Sequence, residues 1–176
     1  MAVREILLLG NPQLHLRAAP VKKSELSNAL VIGKDLRDTM MDFRKRHGWG
    51  RAIAAPQIGV LKRLVYLHVD KPWLIINPTV EAANPEMIEL WDDCMSFPDL
   101  LVRVRRHAAF DLRWRNEHWE EQTRNIEGVL SELLQHEIDH LNGVLAVARA
   151  IDGASFALQS QRSLLKGASF ANPSGS

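Results

Sequence analysis

The sequence predicts an α+β fold in which antiparallel strands pack around a late helix. Two segments, one early and one late, carry apolar residues at helical spacing, and the chain between them contains short strand-like segments. The 176 residues are 46% hydrophobic and 24% charged, which is typical of a folded domain with a core. We therefore expect a single domain over residues 1–167, followed by a disordered tail of small and polar residues over 168–176.

The first helix is predicted from Ser24 to about His47. A serine before the apolar pattern can accept a hydrogen bond from the first turn, and the residues behind it recur at spacings of three and four. They are Leu26, Leu30, Gly33, Leu36, Met40 and Phe43. One face of this helix should be buried.

Short strands are predicted in the middle of the chain. Residues 64–69 and 74–76 are rich in apolar residues, and the prolines Pro72 and Pro78 predict breaks between and after them. Further on, Phe110, Leu112 and Trp114 alternate with charged residues, which is the pattern of a strand with one buried face. Residues 116–118 would form a turn that connects this strand to an antiparallel partner strand.

The second helix is predicted over residues 127–142. Its apolar residues form one stripe, and Gly143 stands where a helix end often needs a positive φ. The stripe consists of Ile126, Leu130, Leu134, Ile138, Leu141 and Leu145.

Charge and cysteine content exclude several classes of protein. The formal net charge is +1, so no electrostatic case exists for wrapping nucleic acid, and no nucleic-acid motif is recognisable. Cys94 is the only cysteine, which excludes an intrachain disulfide and suits a reducing compartment. No window approaches the roughly 20 apolar residues that span a bilayer, so we expect no membrane segment.

The late helix contains an H-E-x-x-H pattern at residues 136–140. At about 100° per residue, His136 and His140 lie one turn apart on the same side of the helix, so both imidazoles can reach one metal ion. Glu137 lies beside that row, close enough to contact a bound water. The alternative interpretation is an exposed helix face with two solvated histidines.

A catalytic metal site of this type needs a third protein ligand. No glutamate follows Glu137, and Ala146 stands where the longer metalloprotease pattern has its third histidine, so the ligand must come from upstream. Cys94 lies in a polar stretch that ends in a proline, which predicts a loop or a strand end. Its alternative role is that of a small buried hydrophobic residue.

Three segments together resemble the motifs of the peptide deformylase family. With Φ for an apolar residue, those motifs are G-Φ-G-Φ-A-A-P-Q, E-G-C-Φ-S and H-E-x-D-H, and residues 50–57, 92–96 and 136–140 correspond to them in that order. The resemblance covers about residues 4–150. It implies an α+β fold around a central H-E-x-x-H helix and a cytoplasmic hydrolase that removes the N-formyl group from the N-terminal methionine of nascent polypeptides, releasing formate.

The resemblance also implies roles for individual residues. Cys94, His136 and His140 would bind one divalent metal ion, natively Fe²⁺ and replaceable by Zn²⁺, Ni²⁺ or Co²⁺. Glu137 would take a proton from a water that the ion activates and pass it to the leaving amine. The side-chain amide of Gln57 and the backbone N–H of Met95 would stabilise the oxyanion. On its own, Gln57 could equally be a turn residue after Pro56.

The chain departs from the family motifs near the expected substrate pocket. Arg51 replaces an apolar residue and Ala52 a glycine, next to Gly50, and Asp92-Asp93 replaces Glu-Gly before the cysteine. Glu132 lies one turn before His136. We expect Arg51 and Glu132 either to approach each other at the pocket or to point into solvent. The expected pocket residues are Gly50, Arg51, Ala52, Val129, Glu132 and Leu133.

Two other functions stay open at this point. The chain could be a deformylase homologue with a shifted N-acyl amino acid or peptide substrate, or a catalytically idle metal-binding homologue. The family implies a ribosome contact, but after Asp152 the only cations are Arg162 and Lys166. The cluster of Arg103, Arg105 and Arg106 alternates with valines and is expected to be a solvated strand face. We expect a monomer.

Overall fold

The computed structural model describes residues 2–165 and 169–171. In these residues the main elements are two helices and nine strands. The helices are α1 (Leu26–His47) and α2 (Val129–Leu141). The strands are β1 (Ala52–Ala54), β2 (Leu64–His68), β3 (Pro72–Ala83), β4 (Met87–Asp93), β5 (Leu100–His107), β6 (Ala109–Arg115), β7 (Glu121–Glu127), β8 (Phe156–Leu158) and β9 (Ser169–Phe170).

The strands form two sheets. The five-stranded sheet has the order β1-β2-β3-β6-β7 and is antiparallel throughout. The four-stranded sheet has the order β8-β5-β4-β9, and its β4–β9 pair is parallel. This is the α+β architecture that the sequence predicts.

The five-stranded sheet is packed between the two helices. Side chains of a strand point alternately to opposite faces, so Val65 joins the apolar cluster that contains Leu134 of α2, whereas Tyr66 joins the cluster that contains Phe43 of α1. Both clusters are closed to solvent, which explains why β1 and the first four residues of β2 are buried on both faces. The position of α2 is therefore set by apolar packing against one face of the five-stranded sheet.

The first helix differs at its start from the prediction. Ser24 lies in a 3₁₀ turn (Lys23–Glu25) and does not cap α1. The carboxylate of Glu25 instead accepts the backbone N–H of Lys22 at 2.8 Å. The end at His47 is confirmed, because Gly48 adopts φ 78° and returns its N–H to Arg44 O.

The second helix begins two residues later than the prediction. Residue 127 is the end of β7, and Gly128 before the helix has φ 61° and ψ −135°, a conformation that suits only glycine. Ile126 of the predicted stripe therefore belongs to β7, where it is buried. The predicted end is confirmed, since Gly143 has φ 75°.

The middle strands are confirmed with one correction. Residues 110–114 lie in β6, which pairs with β7 through a turn at residues 116–120, as the alternation predicts. Asn77 and Pro78 do not break the chain into separate strands. Asn77 takes φ 54° and shifts the register between Ile76 and Thr79, so β3 continues through an irregularity for 12 residues.

Part of the segment expected to be a disordered tail is ordered. Ser169 and Phe170 pair with β4, and Ala171 is buried with the N–H of its backbone bonded to Trp91 O at 2.9 Å. The edge of β4 offers backbone groups that the short segment satisfies, which composition alone does not reveal. Residues 168 and 172–176 lie outside the described residues.

Candidate metal centre and active site

Three side chains of types that can bind a metal ion meet between the four-stranded sheet and α2. Cys94 follows the last residue of β4, and His136 and His140 lie one turn apart on α2. Cys94 Sγ is 3.3 Å from His140 Nε2, which is 3.1 Å from His136 Nε2. All three side chains are buried, so the solvated-histidine alternative is wrong. Cys94 also packs in an apolar cluster, but its Sγ faces a ring nitrogen, which a purely apolar role does not explain.

The histidine rings are oriented by different surroundings. His136 Nδ1 lies 2.9 Å from Asp92 Oδ2, which leaves Nε2 directed at the other two donors. His140 Nδ1 is buried and has no hydrogen-bond partner among residues 2–165 and 169–171. A carboxylate on the far ring nitrogen fixes the tautomer of a ligand histidine and raises its basicity.

The two imidazoles have opposite pKa shifts. Burial would lower the pKa of His136, but the charges of Asp92 and Cys94 raise it well above its ordinary value. Burial lowers the pKa of His140 well below its ordinary value, and the positive charge of His136 adds to this effect. An ion held by both Nε2 atoms would need both rings neutral, so its binding would displace a proton from His136.

Arg106 is a buried residue that the sequence interpretation places wrongly. Its guanidinium contacts Asp92 Oδ2 at 2.9 Å and the carboxylate of Asp139, and it is 3% exposed. Burial would raise the pKa of Asp92, yet the charges of His136 and Arg106 hold it well below its ordinary value. Arg106 thus keeps Asp92 ionised against His136.

The strand period contains the signal that could have placed Arg106. Along β5 the buried positions include Val102, Val104 and Arg106, whereas Arg105 is exposed. Arg106 shares the buried face because residues two apart point the same way. The prediction of a solvated face holds for Arg105, whose partner is the exposed Glu89, and is wrong for Arg106.

Glu137 lies beside the cluster with one oxygen uncommitted. The residue is 3% exposed, and its Oε2 is buried with no hydrogen-bond partner in the part of the chain that the structure describes. Burial raises the pKa of Glu137 to about 7, although the charge of His136 opposes the shift. A carboxyl group with a pKa near neutrality can both accept and donate a proton.

Gln57 is a turn residue whose side-chain amide lies beside Cys94. Its Oε1 accepts the backbone N–H of Ala54 at 2.9 Å, which closes a 3₁₀ turn. Its Nε2 lies 3.6 Å from Cys94 Sγ and donates to Ser96 Oγ at 3.2 Å. The turn therefore directs the amide N–H groups toward the cysteine. Ser96, which the sequence interpretation did not select, is fully buried at this position.

A cleft opens onto the cluster. Apart from Cys94, His136 and Glu137, its walls contain the expected residues Gly50, Arg51, Ala52, Gln57, Met95 and Leu133, together with Trp49, Asp92 and Asp93. Val129 does not join them, since it is 55% exposed at the first residue of α2. Glu132 reaches the cleft through Arg51, with Arg51 Nη2 2.6 Å from Glu132 Oε1.

The donor set fits a transition-metal ion. A thiolate and two imidazole nitrogens, all within 4.8 Å of one another and buried, are ligands that iron and zinc accept. His140 Nε2 faces both Cys94 Sγ and His136 Nε2, so the three donor atoms converge on one point. Three protein ligands beside a cleft leave a coordination position for water or substrate. This arrangement, with a buried carboxylate next to it, is that of a metal-dependent hydrolase.

Comparisons with known proteins give the family. The family model described as polypeptide deformylase matches residues 3–155, so the chain belongs to the peptide deformylase family. Peptide deformylases are metal-dependent hydrolases that remove the formyl group from nascent polypeptides, and this chain is an enzyme of that kind.

Individual peptide deformylases are similar to this chain in sequence and structure over most of its length. A peptide deformylase from Leptospira biflexa is 36% identical over 85% of this chain and 88% of its own length. The crystal structure of peptide deformylase from Thermotoga maritima covers 86% of this chain and 100% of its own, with a TM-score of 0.79 and 30% identity. A Met-Ala-Ser-bound class I type b enzyme from Acinetobacter baumannii covers 85% and 100%, with a TM-score of 0.78 and 26% identity.

Proposed function

We propose that this chain deformylates peptides in the cleft above Cys94, His136 and His140, and that these three residues hold the metal ion. The supporting observation is the convergence of their three donor atoms within 4.8 Å in a buried position. We propose Fe²⁺ as the native ion, with Zn²⁺, Ni²⁺ or Co²⁺ as substitutes, because thiolate and imidazole ligands suit these metals. When bound, the ion polarises the formyl carbonyl and makes water a stronger acid.

Glu137 is the proposed general base and acid. Its free Oε2 takes a proton from the attacking water as the new C–O bond forms. The same oxygen then delivers the proton to the amide nitrogen as the C–N bond breaks, so formate and a free amino terminus leave. The pKa of about 7 matches a group that must do both.

Gln57 and Met95 are proposed to stabilise the oxyanion that develops on the formyl carbonyl. Gln57 Nε2 is held at 3.6 Å from Cys94 Sγ by a turn that fixes its amide, so the donor needs no reorganisation during the reaction. Met95 follows the cysteine and lines the same cleft. Both therefore lie beside the proposed metal position.

The proposed substrate is an N-formylated nascent peptide. The Acinetobacter baumannii relative with bound Met-Ala-Ser supports a peptide with an N-terminal methionine as the product. We further propose that the enzyme works in the cytoplasm as a monomer, with a ribosome contact as an additional interaction. In the described residues, no helix has the length and apolar character needed to cross a bilayer.

Metal analysis of the Cys94→Ala variant tests the ligand set. We expect the parent to bind one metal ion per chain and to release formate from formyl-Met-Ala-Ser, and the variant to lose tightly bound metal and activity together. Ser160→Ala, an exposed serine outside the cleft, is the control. Full metal content in Cys94→Ala would exclude the cysteine as a ligand. A metal-loaded parent that releases no formate would favour the idle homologue.

A further inference from the structure

An ion pair between Arg51 and Glu132 forms part of the cleft wall. Arg51 Nη2 and Glu132 Oε1 are 2.6 Å apart, and the side chains are only 15% and 6% exposed. Arg51 comes from the segment before β1, and Glu132 from the first turn of α2. The pair thus connects the two elements that border the cleft at this point.

This pair leaves hydrogen-bonding atoms unused. Arg51 Nε and Nη1 and Glu132 Oε2 are buried, and none of them has a hydrogen-bond partner in the described part of the chain. Each buried polar group without a partner costs about 1–3 kcal/mol relative to a satisfied one. A ligand that supplied an acceptor to the guanidinium or a donor to the carboxylate would recover part of that cost.

The pair is close to the proposed reaction centre. Arg51 lines the same cleft as Cys94 and Glu137, and Glu132 precedes the ligand His136 by one helical turn. The residues next to the pair in sequence, Ala52 after Arg51 and Leu133 after Glu132, also line the cleft. A substrate whose formyl carbonyl lies at the metal site must place its first side chain near these walls.

We propose that Arg51 and Glu132 determine selectivity for the first side chain, favouring one that forms hydrogen bonds over an apolar one of the same length. The inference rests on the proposed function of the same cleft. A side-chain carboxamide fits best, since its oxygen can accept from Arg51 while its NH₂ group donates to Glu132 Oε2. The guanidinium nitrogens and the carboxylate oxygen that have no partner in the described residues give a carboxamide both of the contacts it needs.

Three formyl peptides separate hydrogen bonding from size. Formyl-Gln-Ala-Ser, formyl-Met-Ala-Ser and formyl-norleucine-Ala-Ser have first side chains of similar length, with a carboxamide, a weakly accepting thioether and a fully apolar chain. We expect kcat/KM of the parent to decrease in that order. The glutamine peptide should exceed the norleucine peptide by about tenfold or more, since sites with buried hydrogen-bonding groups reject analogues that lack a partner. Equal values in the parent would overturn the proposal.

The double substitution Arg51→Met/Glu132→Leu removes the pair without leaving one charge buried alone. Replacement of a buried ion pair by apolar residues of similar volume is often neutral or stabilising, and leucine favours the helix that contains position 132. We expect the ratio of kcat/KM for the glutamine and norleucine peptides to fall at least about tenfold, to near or below one. An unchanged ratio would exclude the pair as a determinant of selectivity.

The matched control is the surface ion pair of Arg113 and Glu81, which lies outside the cleft. Its atoms are 2.6 Å apart, but its side chains are 46% and 44% exposed. Arg113→Met/Glu81→Leu should leave the ratio unchanged. If the cleft double variant fails to fold, Arg51→Lys serves instead, because lysine keeps the charge and loses the planar set of donors. Its ratio should also fall.

Binding to a metal-loaded Glu137→Gln protein separates this inference from the proposed function. Calorimetric titration with the same three peptides measures side-chain preference without turnover. Tighter binding of the glutamine peptide, lost with Arg51→Met/Glu132→Leu in the same background, supports the inference even if the parent releases no formate. Equal binding of all three peptides by an enzyme that does release formate contradicts the inference alone.

Discussion

Asp92 is a carboxylate that orients a proposed metal ligand, His136. It accepts from His136 Nδ1 on one side and from Arg106 on the other, and all three side chains are buried. The arginine compensates the buried negative charge, so the carboxylate can stay ionised and orient the imidazole. The shorter Asp92, which replaces the glutamate of the family motif, still reaches both partners.

Substitution of Asp92 should therefore weaken metal binding without removing a ligand. In Asp92→Asn the amide oxygen can still accept from His136, but the charge is lost. We expect metal affinity to decrease by about 10–100-fold, the usual range for the partner of a ligand histidine. Competition with a chelator of known affinity measures it. Asp99→Asn, an exposed position past the cysteine, should bind as the parent does. Parent-like affinity of Asp92→Asn would contradict the orienting role.

Glu137→Gln should separate metal binding from catalysis. Glutamine keeps the size and a hydrogen-bonding oxygen, but it cannot transfer the proton, so we expect normal metal content and a decrease in kcat of about 10²-fold or more. Formate release and metal analysis on one preparation measure both. Turnover within a few-fold of the parent would mean that another group moves the proton.

At the scale of elements, the end of α2 is fixed by glycine. Gly143 has φ 75°, and a Cβ atom built on it would lie 2.5 Å from the backbone oxygen of His15. The carbonyl of Leu141 near this end accepts the N–H of Ala18 at 2.9 Å. The N-terminal segment thus packs directly on the helix that carries both histidines.

Gly143→Ala should be more destabilising than Gly48→Ala. Both glycines follow a helix with φ 75° and 78°, but a Cβ at Gly48 meets nothing within 4 Å. At Gly48, backbone strain alone should lower the free energy of unfolding by about 1–2 kcal/mol. At Gly143, the clash with His15 should lower it by about 1–3 kcal/mol more. Urea unfolding of the metal-loaded proteins measures both. Equal losses would show that the N-terminal segment moves away freely.

At the scale of the whole molecule, the proposed metal ion connects two layers. Cys94 extends from the four-stranded sheet, whereas His136 and His140 belong to the helix beneath the five-stranded sheet. An ion held by all three binds the folded chain far better than the unfolded one. The ion should therefore stabilise the whole domain, which we propose to include residues 1–167.

Removal of the metal should lower the melting temperature. At a free metal concentration 100 times Kd, binding contributes about 2.7 kcal/mol, and for a chain of this size about 1 kcal/mol corresponds to 2–4 °C. We expect chelation to lower Tm by about 5–10 °C and re-addition of metal to restore it. In Cys94→Ala, chelation should leave Tm almost unchanged. A parent Tm independent of chelator would argue against a metal that joins the layers.

The sequence by itself determined those features that depend on local spacing. Two histidines four residues apart on a helix face the same way wherever the helix packs, and Glu137 necessarily lies beside them. Strand alternation in β6 and the glycine end of α2 likewise follow from neighbours in the chain. The family motifs add Cys94 and Gln57. Local pattern alone does not decide whether Cys94 is a site residue or a buried hydrophobic one, or whether Gln57 is a site residue or a turn residue.

The tertiary structure decided which distant groups meet. The approach of Arg106 to Asp92 and Asp139 depends on how β5 packs against α2, and the addition of residues 169–170 to β4 depends on a free strand edge. Contact of Arg51 with Glu132, one of two sequence alternatives, required the position of β1 above the helix. Such contacts join residues far apart in sequence. A local pattern can place a residue on a buried face, but it does not specify which distant residue packs against it there.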